Sequence, residues 1–482
     1  AACSTPATVL TSESAVESVE ERDCSPRRLT PEDFLQTTPE DLSLRLSSLV
    51  FDCSEEVVVA EVVNVDEAAA EAADRQAPLL ITSATAAPAV AEEIRRLEVG
   101  EVIFVGQPSD PLVLPEDAVV VAVAAAETET TETEASETID IETERAPGTN
   151  VWLYRPADEV LASVARPFFD VGAAELLALP DGDAVDTTLA QAGASISVVG
   201  PMSPTEAWRA KLRFTGPELP GGGITLFPGR RFVAFYGSPA TFRLGLLGEQ
   251  GPEQTMERLR PYLAEYQVPG GDPVLPAFEL IATVAASAPG GDNDYSNELD
   301  PMALRPWIDV VTANDGYAII DLQPGRTDFL TQAKRYEEYL KLPNVGLALD
   351  PEWRIGPDDV HLRRIGTVDG AEVNAVVDWL AELVRANGLP QKMLVVHQFQ
   401  EPMITARETI RTALELSLVI HVDGQGPLST KSSTWAAMQA VPLGLDQTVW
   451  WGWKNFLDED SPVATPAQVN SVVPLPVVVT FQ

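Results

Sequence analysis

A chain of 482 residues exceeds the size of one ordinary hydrophobic core, so two or three domains are expected. Its 73 acidic and 32 basic residues give a net charge of −41. Such a surface repels phosphate backbones, so we expect no nucleic-acid binding. No stretch approaches the roughly 20 apolar residues that a membrane span requires.

The chain begins with the small, polar and acidic stretch AACSTPATVLTSESAVESVEE. Because such a composition cannot bury enough apolar surface to fold, residues 1–44 are predicted to be disordered. The opening AAC is similar to the end of a bacterial lipoprotein signal, in which Cys3 would carry the lipid. That similarity implies an extracellular protein of the cell envelope, attached to the membrane only through an N-terminal anchor.

Two further cysteines follow, Cys24 and Cys53. If Cys3 carries lipid, these two remain as a pair that can form a disulfide in an oxidising compartment. In the chain-entropy model a loop of this size contributes roughly 3–4 kcal/mol of stability. The alternative is two buried free thiols. No cysteine lies at zinc-ligand spacing from a second Cys or a His, so no zinc site is predicted.

Residues 45–122 alternate short apolar runs with helical patterns. Strands are predicted at 57–63, 78–82 and 101–105, and helices at 65–74 and 87–97. An alternation of strands and helices is typical of a parallel α/β domain.

The same order of elements recurs in residues 151–205. Asp158 aligns with Asp66, and SVVG at 197–200 aligns with IFVG at 103–106, an offset of about 92–94 residues. This internal repeat predicts two related Rossmann-like halves. Residues 123–150 between them are rich in Thr and Glu, a composition that predicts a solvated acidic linker.

The first copy contains APLLITSATAAPAVAEEIRRLEVGEVIFVGQ, which resembles the cell wall binding repeat 2 family. In that family an apolar strand, a small polar loop, a helix ending in an RL-like step and a strand ending in Gly recur in tandem. The resemblance covers the first copy well and the second loosely. It implies retention at the bacterial wall by binding a glycan or polymer, and it supplies no catalytic residues.

Residues 225–475 show near-continuous apolar strands between amphipathic helices, which indicates a parallel sheet covered on both faces. Seven strand candidates can be counted: RFVAFYGS, PVLPAFELIATVAA, YAIIDLQPG, VGLALDPEW, KMLVVHQFQ, LSLVIHVDGQG and TVWWGWKNF. An eighth could lie in STWAAMQAVPLGL, although that stretch looks helical. The length and pattern favour a (β/α)8, TIM-like barrel, with a doubly wound open sheet as the alternative.

Polar residues follow these strands where they end, and in a barrel that edge carries the ligand chemistry. The predicted catalytic residues are the acids Asp321, Asp350, Glu352 and Asp423. The predicted substrate-binding residues are Tyr236, Glu279, Trp353, His397, Gln398, His421, Trp453 and Lys454. Two of the three histidines in the chain directly follow apolar strands, which favours a pocket over a set of helix caps and loop turns.

The stretch LDPEW contains two acids, Asp350 and Glu352, two positions apart. Residues at that spacing in a strand point to the same side, so both acids are predicted to face the barrel mouth, and Pro351 marks the end of the strand. Glycoside hydrolysis requires one protonated and one ionised carboxyl group close together.

A D-x-E at the end of a fourth strand resembles chitinase-like and muramidase-like barrels. The resemblance implies that Glu352 protonates the leaving oxygen and that Asp350 assists it. Chitinase-like barrels have further acids upstream, where this chain has Val345 and Ala348. The structural alternatives are that Asp350 caps the following turn or forms an ion pair with Arg354.

Other catalytic signatures are absent: the sequence contains no G-x-S-x-G, H-E-x-x-H, P-loop or G-x-G-x-x-G motif. His397, His421 and Asp423 lack a third convincing nitrogen ligand, so neither a metal site nor a cofactor is predicted. The run DLQPGRTDFLTQAKRYEEYLKLPNVGLALDPEW resembles uncharacterised secreted proteins of high-GC Gram-positive bacteria, which suggests a cell-envelope setting.

Two functions remain open. One is a cell-envelope enzyme of glycosidase type that acts on a wall glycan. The other is a non-catalytic surface lipoprotein whose barrel binds a carbohydrate or a protein partner.

Overall fold

The computed structural model describes residues 24–124, 148–180, 185–186, 188–361, 363–444 and 449–482. The predicted lipid-bearing Cys3 and residues 125–147 of the acidic linker lie outside the described residues. The chain divides into two compact units. Of the described residues, 24–124, 149–178 and 199–201 belong to the first unit and the others to the second.

The front half of the chain, here taken as the described residues up to 215, consists of short strands alternating with helices. Its strands are β1 (Phe34–Leu35), β2 (Glu56–Ala60), β3 (Leu79–Ile81), β4 (Glu101–Val105), β5 (Val119–Val123), β6 (Asn150–Tyr154), β7 (Ala174–Ala178) and β8 (Ser195–Gly200). Its helices are α1 (Pro39–Val50), α2 (Val65–Arg75), α3 (Ala87–Leu97), α4 (Glu159–Val171), α5 (Thr188–Gln191) and α6 (Pro204–Thr215). In 45–122 the strands and helices predicted from the sequence occur in the predicted order.

These strands form two four-stranded sheets, in the orders β3-β2-β4-β5 and β1-β8-β6-β7. In the first sheet β2 lies between β3 and β4, and in the second sheet β6 lies between β7 and β8, so the first strand of each repeated unit is flanked by the second and the third. The strands pair in parallel: β2 with β3 and β4, β4 with β5, β6 with β7, and β1 with β8. The two halves of the repeat therefore share one strand order.

The predicted disulfide between Cys24 and Cys53 is confirmed, with the two Cα atoms 5.0 Å apart. The prediction of disorder for residues 1–44 is wrong for 24–44, which contain β1 and the start of α1. Leu29, Phe34 and Leu42 are almost completely buried in the front core. The small and polar composition of the first twenty residues concealed these apolar anchors.

The back half contains longer strands. They are β9 (Arg231–Gly237), β10 (Val274–Ala285), β11 (Ser296–Glu298), β12 (Tyr317–Leu322), β13 (Val345–Leu349), β14 (Val368–Asp369), β15 (Lys392–His397), β16 (Ile404–Thr405), β17 (Leu416–Val422), β18 (Trp450–Asn455) and β19 (Val478–Phe481). The helices are α7 (Pro252–Tyr266), α8 (Pro301–Ala313), α9 (Phe329–Ala333), α10 (Glu337–Leu340), α11 (Gly370–Ala386), α12 (Leu428–Ala440) and α13 (Pro466–Val469). No described helix is both long enough and apolar enough to cross a membrane.

Eight of these strands close into a parallel barrel in the order β9, β10, β12, β13, β15, β17, β18 and β19. The last strand, β19, pairs with β9, so the ring has no open edge. The predicted α/β barrel is thus confirmed, and the doubly wound open sheet is excluded. Helices follow most of the strands, whereas only short 3-10 turns and β16 connect β15 to β17.

The eighth strand lies outside the stretch in which it was expected. The stretch STWAAMQAVPLGL falls largely in α12, and the missing strand is β19 at the end of the chain, beyond the predicted boundary at residue 475. The run VVTF is only four residues long and follows a proline-rich segment, so its apolar signal was weak.

The interior of the barrel is filled by side chains below the mouth. Because side chains alternate along a strand, every second residue points inward. The buried inward-facing cluster is Phe232, Ala234, Ala277, Tyr317, Ile319, Ala348, Met393, Val395, Val419 and Val478. The intervening residues, such as Phe235 and Ile320, pack outward in the core that includes the helices. The lower barrel is therefore a packed apolar column.

Candidate active site

A ring of polar side chains lies above this apolar column, with one residue from each barrel strand or the position directly after it. Its members are Tyr236, Glu279, Asp321, Asp350, His397, His421, Lys454 and Thr480. Each stands two positions after an inward-facing residue of the layer below, as the alternation along a strand requires. All eight are buried, with at most 3% of their surface exposed. We call this set the polar ring.

His397 links both sides of the polar ring. Its Nε2 lies 2.9 Å from Oε1 of Glu279, and its Nδ1 lies 3.2 Å from Oδ2 of Asp423. Asp423 directly follows β17, and its side chain is almost completely buried. Both imidazole nitrogens thus have a carboxylate neighbour, which fixes the orientation of the imidazole.

A second group of contacts surrounds Asp321. The Tyr236 hydroxyl donates to Oδ2 of Asp321 at 2.9 Å, and Nε2 of Gln323 donates to the same hydroxyl oxygen at 3.3 Å. Gln323 is itself held in place, since its backbone N–H donates to Oγ1 of Thr283 at 2.8 Å. The phenol is therefore locked between an amide and a carboxyl group.

The remaining side of the ring holds Lys454, His421 and Thr480. Nζ of Lys454 lies 3.6 Å from the centre of the Tyr236 ring, a cation–π arrangement. Oγ1 of Thr480 lies 3.2 Å from Nε2 of His421, and the imidazole of His421 stacks on that of His397 with centroids 4.9 Å apart. Lys454 is thus a basic side chain in a ring that is rich in carboxyl groups.

A cavity of about 550 Å³ opens at the carboxyl end of the barrel strands. Its polar lining residues are Tyr236, Gln323, Glu352, Asp423, Gln425, Lys454 and Gln482, and its aromatic ones include Trp353, Phe399 and Phe456. A volume of this size is typical of sites for small ligands. The cavity therefore meets the polar ring at the edge where barrels carry their chemistry.

The two acids of LDPEW have different environments. Glu352 lies in a 3-10 turn, Pro351–Trp353, that follows β13, and its partly buried side chain lines the cavity. Asp350 is 2% exposed and belongs to the polar ring below. The prediction that both face the mouth therefore applies fully only to Glu352.

The structural alternatives considered for Asp350 do not occur in the described residues. Asp350 precedes the 3-10 turn but makes no side-chain capping hydrogen bond. Arg354 pairs with Glu372 instead, with Nε 3.0 Å from Oε1. Oδ1 of Asp350 is buried and has no hydrogen-bond partner among the described residues.

Burial raises the pKa of the acids at the mouth. It raises the pKa of Glu352 to about 7, and the neighbouring Asp423 carboxylate adds to the effect. The pKa of Asp350 is raised well above its ordinary value by burial and by Glu352. Glu352 and Asp350 therefore retain protons more strongly than exposed acids do.

The charges around His397 favour the ionised forms of His397 and Asp423. Burial favours the neutral imidazole, but Glu279 and Asp423 outweigh it and raise the pKa of His397 well above its ordinary value. Burial also works against ionised Asp423, yet the hydrogen bond from His397 lowers the pKa of that carboxyl group. Two acids that line one cavity, Glu352 and Asp423, thus differ in protonation tendency.

The other predicted site residues occupy varied positions. Trp353 lines the cavity, whereas Trp453 points outward, where its indole packs near that of Trp435 and donates to Oδ1 of Asn455 at 2.9 Å. Gln398 is buried and donates from Nε2 to the carbonyl oxygens of Gln400 and Glu401 at 3.1 and 3.3 Å. Of these, Trp353 contributes directly to the cavity wall.

The sequence did not single out the lining residues Gln323, Phe399 and Phe456 or the polar-ring residue Thr480. Gln323 lies two positions after Asp321, so the same alternation that selected Asp321 could have identified it. Thr480 could have been found only by recognising the short eighth strand. Phe399 and Phe456 lie just past strand ends, where no periodicity distinguishes them from ordinary apolar residues.

One group in the ring has the composition of a metal site. Glu279, Asp321 and His397 each offer one ligand atom, and these atoms all lie within 4.8 Å of one another. All three side chains are completely buried.

Comparison of the chain with protein-family models finds no match, and searches of the curated proteins and of the solved structures find none either.

Proposed function

We propose that this protein is a glycoside hydrolase of the bacterial cell envelope, in which Glu352 is the general acid. One observation carries the proposal: Glu352 and Asp423 line the same cavity at the carboxyl end of a closed parallel barrel. Glycoside hydrolysis uses a pair of carboxyl groups on either side of the scissile bond.

The protonation of the two acids supports these roles. A general acid must hold a proton near neutral pH, and burial raises the pKa of Glu352 to about 7. Asp423 accepts a hydrogen bond from His397 at 3.2 Å, which favours its ionised form. In this assignment Asp423, rather than Asp350, is the carboxylate that assists, because Asp350 lies below the cavity lining.

The remaining lining fits a sugar ring. Trp353, Phe399 and Phe456 present apolar faces against which the C–H face of a sugar can pack. Gln323, Gln425 and Lys454 supply hydrogen-bond donors in the same cavity. A wall that combines aromatic faces with several fixed polar groups can hold a sugar by both kinds of contact.

The front half is assigned to attachment at the wall. Its support is the repeated strand order of the two sheets together with the resemblance of the first copy to the cell wall binding repeat 2 family. A Rossmann-like architecture of both copies belongs to the same proposal. The Cys24–Cys53 disulfide fits an oxidising, extracellular compartment. Lipidation of Cys3 would add a membrane anchor.

The decisive experiment compares the wild-type chain with Glu352→Gln on a broad panel of cell-envelope glycans. General acid catalysis contributes about 10²–10⁴-fold, so the variant should lose at least about 10²-fold in kcat. Glu338→Gln is a matched control, because the Glu338 side chain is 84% exposed. If the wild-type protein releases no product from any glycan of the panel, the enzyme assignment is wrong.

The alternative is a non-catalytic barrel that binds a carbohydrate or a protein. It is favoured by the polar ring, in which Glu279 and Asp321 are already engaged with His397 and Tyr236. Under this function Glu352→Gln would leave glycan binding unchanged in a pull-down, and no turnover would be detected.

A further inference from the structure

The polar ring holds more carboxyl groups than cations. With the two acids at the cavity, it contains five carboxyl groups, Glu279, Asp321, Asp350, Glu352 and Asp423, against two basic side chains that interact with them, Lys454 and His397. Burying several carboxyl groups together costs free energy unless they are protonated or matched by positive charge. Carboxyl groups therefore outnumber the basic side chains of the ring, and the balance is met where some of them hold protons or where a cation binds.

The positions of the unpartnered atoms point to where a cation would bind. Oε2 of Glu279 and Oδ1 of Asp321 are buried and have no hydrogen-bond partner among the described residues. Both residues are 0% exposed, so neither orphaned oxygen is on the protein surface. Buried acceptors without donors are rare in native proteins and call for a missing partner.

We propose that Glu279, Asp321 and His397 bind one divalent metal ion in the floor beneath the cavity. Their ligand atoms lie within 4.8 Å of one another. His397 Nε2 and Glu279 Oε1 are 2.9 Å apart. In octahedral coordination, which suits Mn²⁺, neighbouring ligands about 2.1 Å from the ion are about 3.0 Å apart, so this pair already has a suitable spacing.

The surroundings of His397 support the assignment. A metal-bound histidine almost always donates its other ring N–H to a carboxylate or carbonyl group. The Nδ1 atom of His397 faces Asp423 Oδ2 at 3.2 Å, while Nε2 faces the ligand cluster. Tyr236 donates a hydrogen bond to Asp321 and so orients that carboxylate as an outer-shell partner.

The donor set indicates the kind of ion. One imidazole and two carboxylates suit a first-row divalent ion such as Mn²⁺ or Zn²⁺, since carboxylates favour Mn²⁺ and imidazole favours Zn²⁺. Tyr236 and Asp423 line the cavity and contact the ligands, so the site lies one layer of side chains beneath the mouth. The metal would neutralise the floor on which a substrate rests.

The test is the metal content of the full chain. Protein stripped with chelator is incubated with Mn²⁺ or Zn²⁺, dialysed and measured by inductively coupled plasma mass spectrometry. We expect about one ion per chain, the stoichiometry of a single three-ligand site. Titration of Mn²⁺ followed by electron paramagnetic resonance should show loss of the free-ion signal up to the same ratio.

Variants locate the ion. Glu279→Gln removes a ligand charge while keeping the side-chain shape. Loss of an outer-shell partner weakens metal affinity about 10–100-fold, so loss of this direct ligand should weaken it more. Asp292→Asn is the control, because Asp292 belongs to a second, partly exposed acid group with Asp294 and Glu298. This control should bind the metal as the wild type does.

Two results would overturn the proposal: wild-type protein that retains no Mn²⁺ or Zn²⁺, or Glu279→Gln that binds with unchanged affinity. If Glu279→Gln fails to fold by circular dichroism, Asp321→Asn replaces it in the same titration, because it removes another ligand of the same site. The measurement needs no glycan, so failure of the glycosidase assignment leaves this result unaffected.

Discussion

The lower and upper parts of the barrel interior are built from the same eight strands yet differ completely in character. Below, Phe232, Ala234 and Ile319 pack into an apolar column. Two residues further along the same strands, Tyr236 and Asp321 belong to the polar ring. Position along a strand thus decides whether an inward-facing side chain packs in the apolar column or belongs to the polar ring, while the alternation of side chains stays the same.

The largest expected effect comes from breaking the lower column. Phe232→Ala removes a completely buried ring that contacts the rings of Phe227 and Tyr317. It should lower the free energy of unfolding by about 3–5 kcal/mol, because it removes apolar contacts and leaves a cavity. Urea unfolding followed by tryptophan fluorescence measures it. A loss below about 1 kcal/mol would mean that the column is loosely packed.

Glu352 tests the electrostatics at the mouth. Its pKa rises from 4.5 to about 7 on folding, so the folded state binds this proton more tightly than the unfolded state. The contribution of this proton to the free energy of unfolding is fully present below about pH 4.5. It is lost as the pH rises to about 7, and it amounts to on the order of 1–3 kcal/mol. General acid activity should fall above about pH 7 for the same reason.

The measurement is a series of urea unfolding curves between pH 4 and pH 8. Glu352→Gln should flatten the part of the decline that belongs to this carboxyl group, whereas the exposed Glu338→Gln should not. If the free energy of unfolding declines with pH in Glu352→Gln as it does in the wild type, Glu352 ionises as an exposed acid does.

A pair of tyrosines sharpens the comparison between the two layers. Tyr236→Phe removes the donor to Asp321 in the polar ring, and Tyr317→Phe removes the hydroxyl that accepts from the backbone N–H of Met393 below. Each should cost about 1–3 kcal/mol by leaving a buried polar group unpaired. Only Tyr236→Phe should also impair ligand binding or turnover. Equal functional loss in both variants would contradict a separation of roles.

The smallest effect is expected at the eighth strand. Thr480→Val keeps the side-chain volume but removes the 3.2 Å contact between the hydroxyl and His421 Nε2. The expected loss of stability is about 1 kcal/mol, the net value of one neutral hydrogen bond. Differential scanning calorimetry measures it. A loss as large as that of Phe232→Ala would show that His421 depends on Thr480 for its position.

Much of this architecture could be predicted because local periodicity carries it. Near-continuous apolar strands separated by amphipathic helices indicated a barrel, and seven of its strands were identified. Seven of the eight residues of the polar ring were also named, since polar residues at strand ends stand out against apolar runs. Thr480 was missed because its strand, VVTF, is short and lies at the end of the chain.

The sequence by itself determined the strand and helix order, the alternation that aims every second side chain inward, and the identity of the acids at the strand ends. Tertiary structure alone decided which acid reaches the cavity and which partner each one meets. Asp350 and Glu352 illustrate the reason: they are two residues apart, yet one is buried in the ring and the other lines the cavity. Burial and charged neighbours depend on segments distant in sequence, such as Asp423 after β17, which raises the pKa of Glu352, and no local pattern records them.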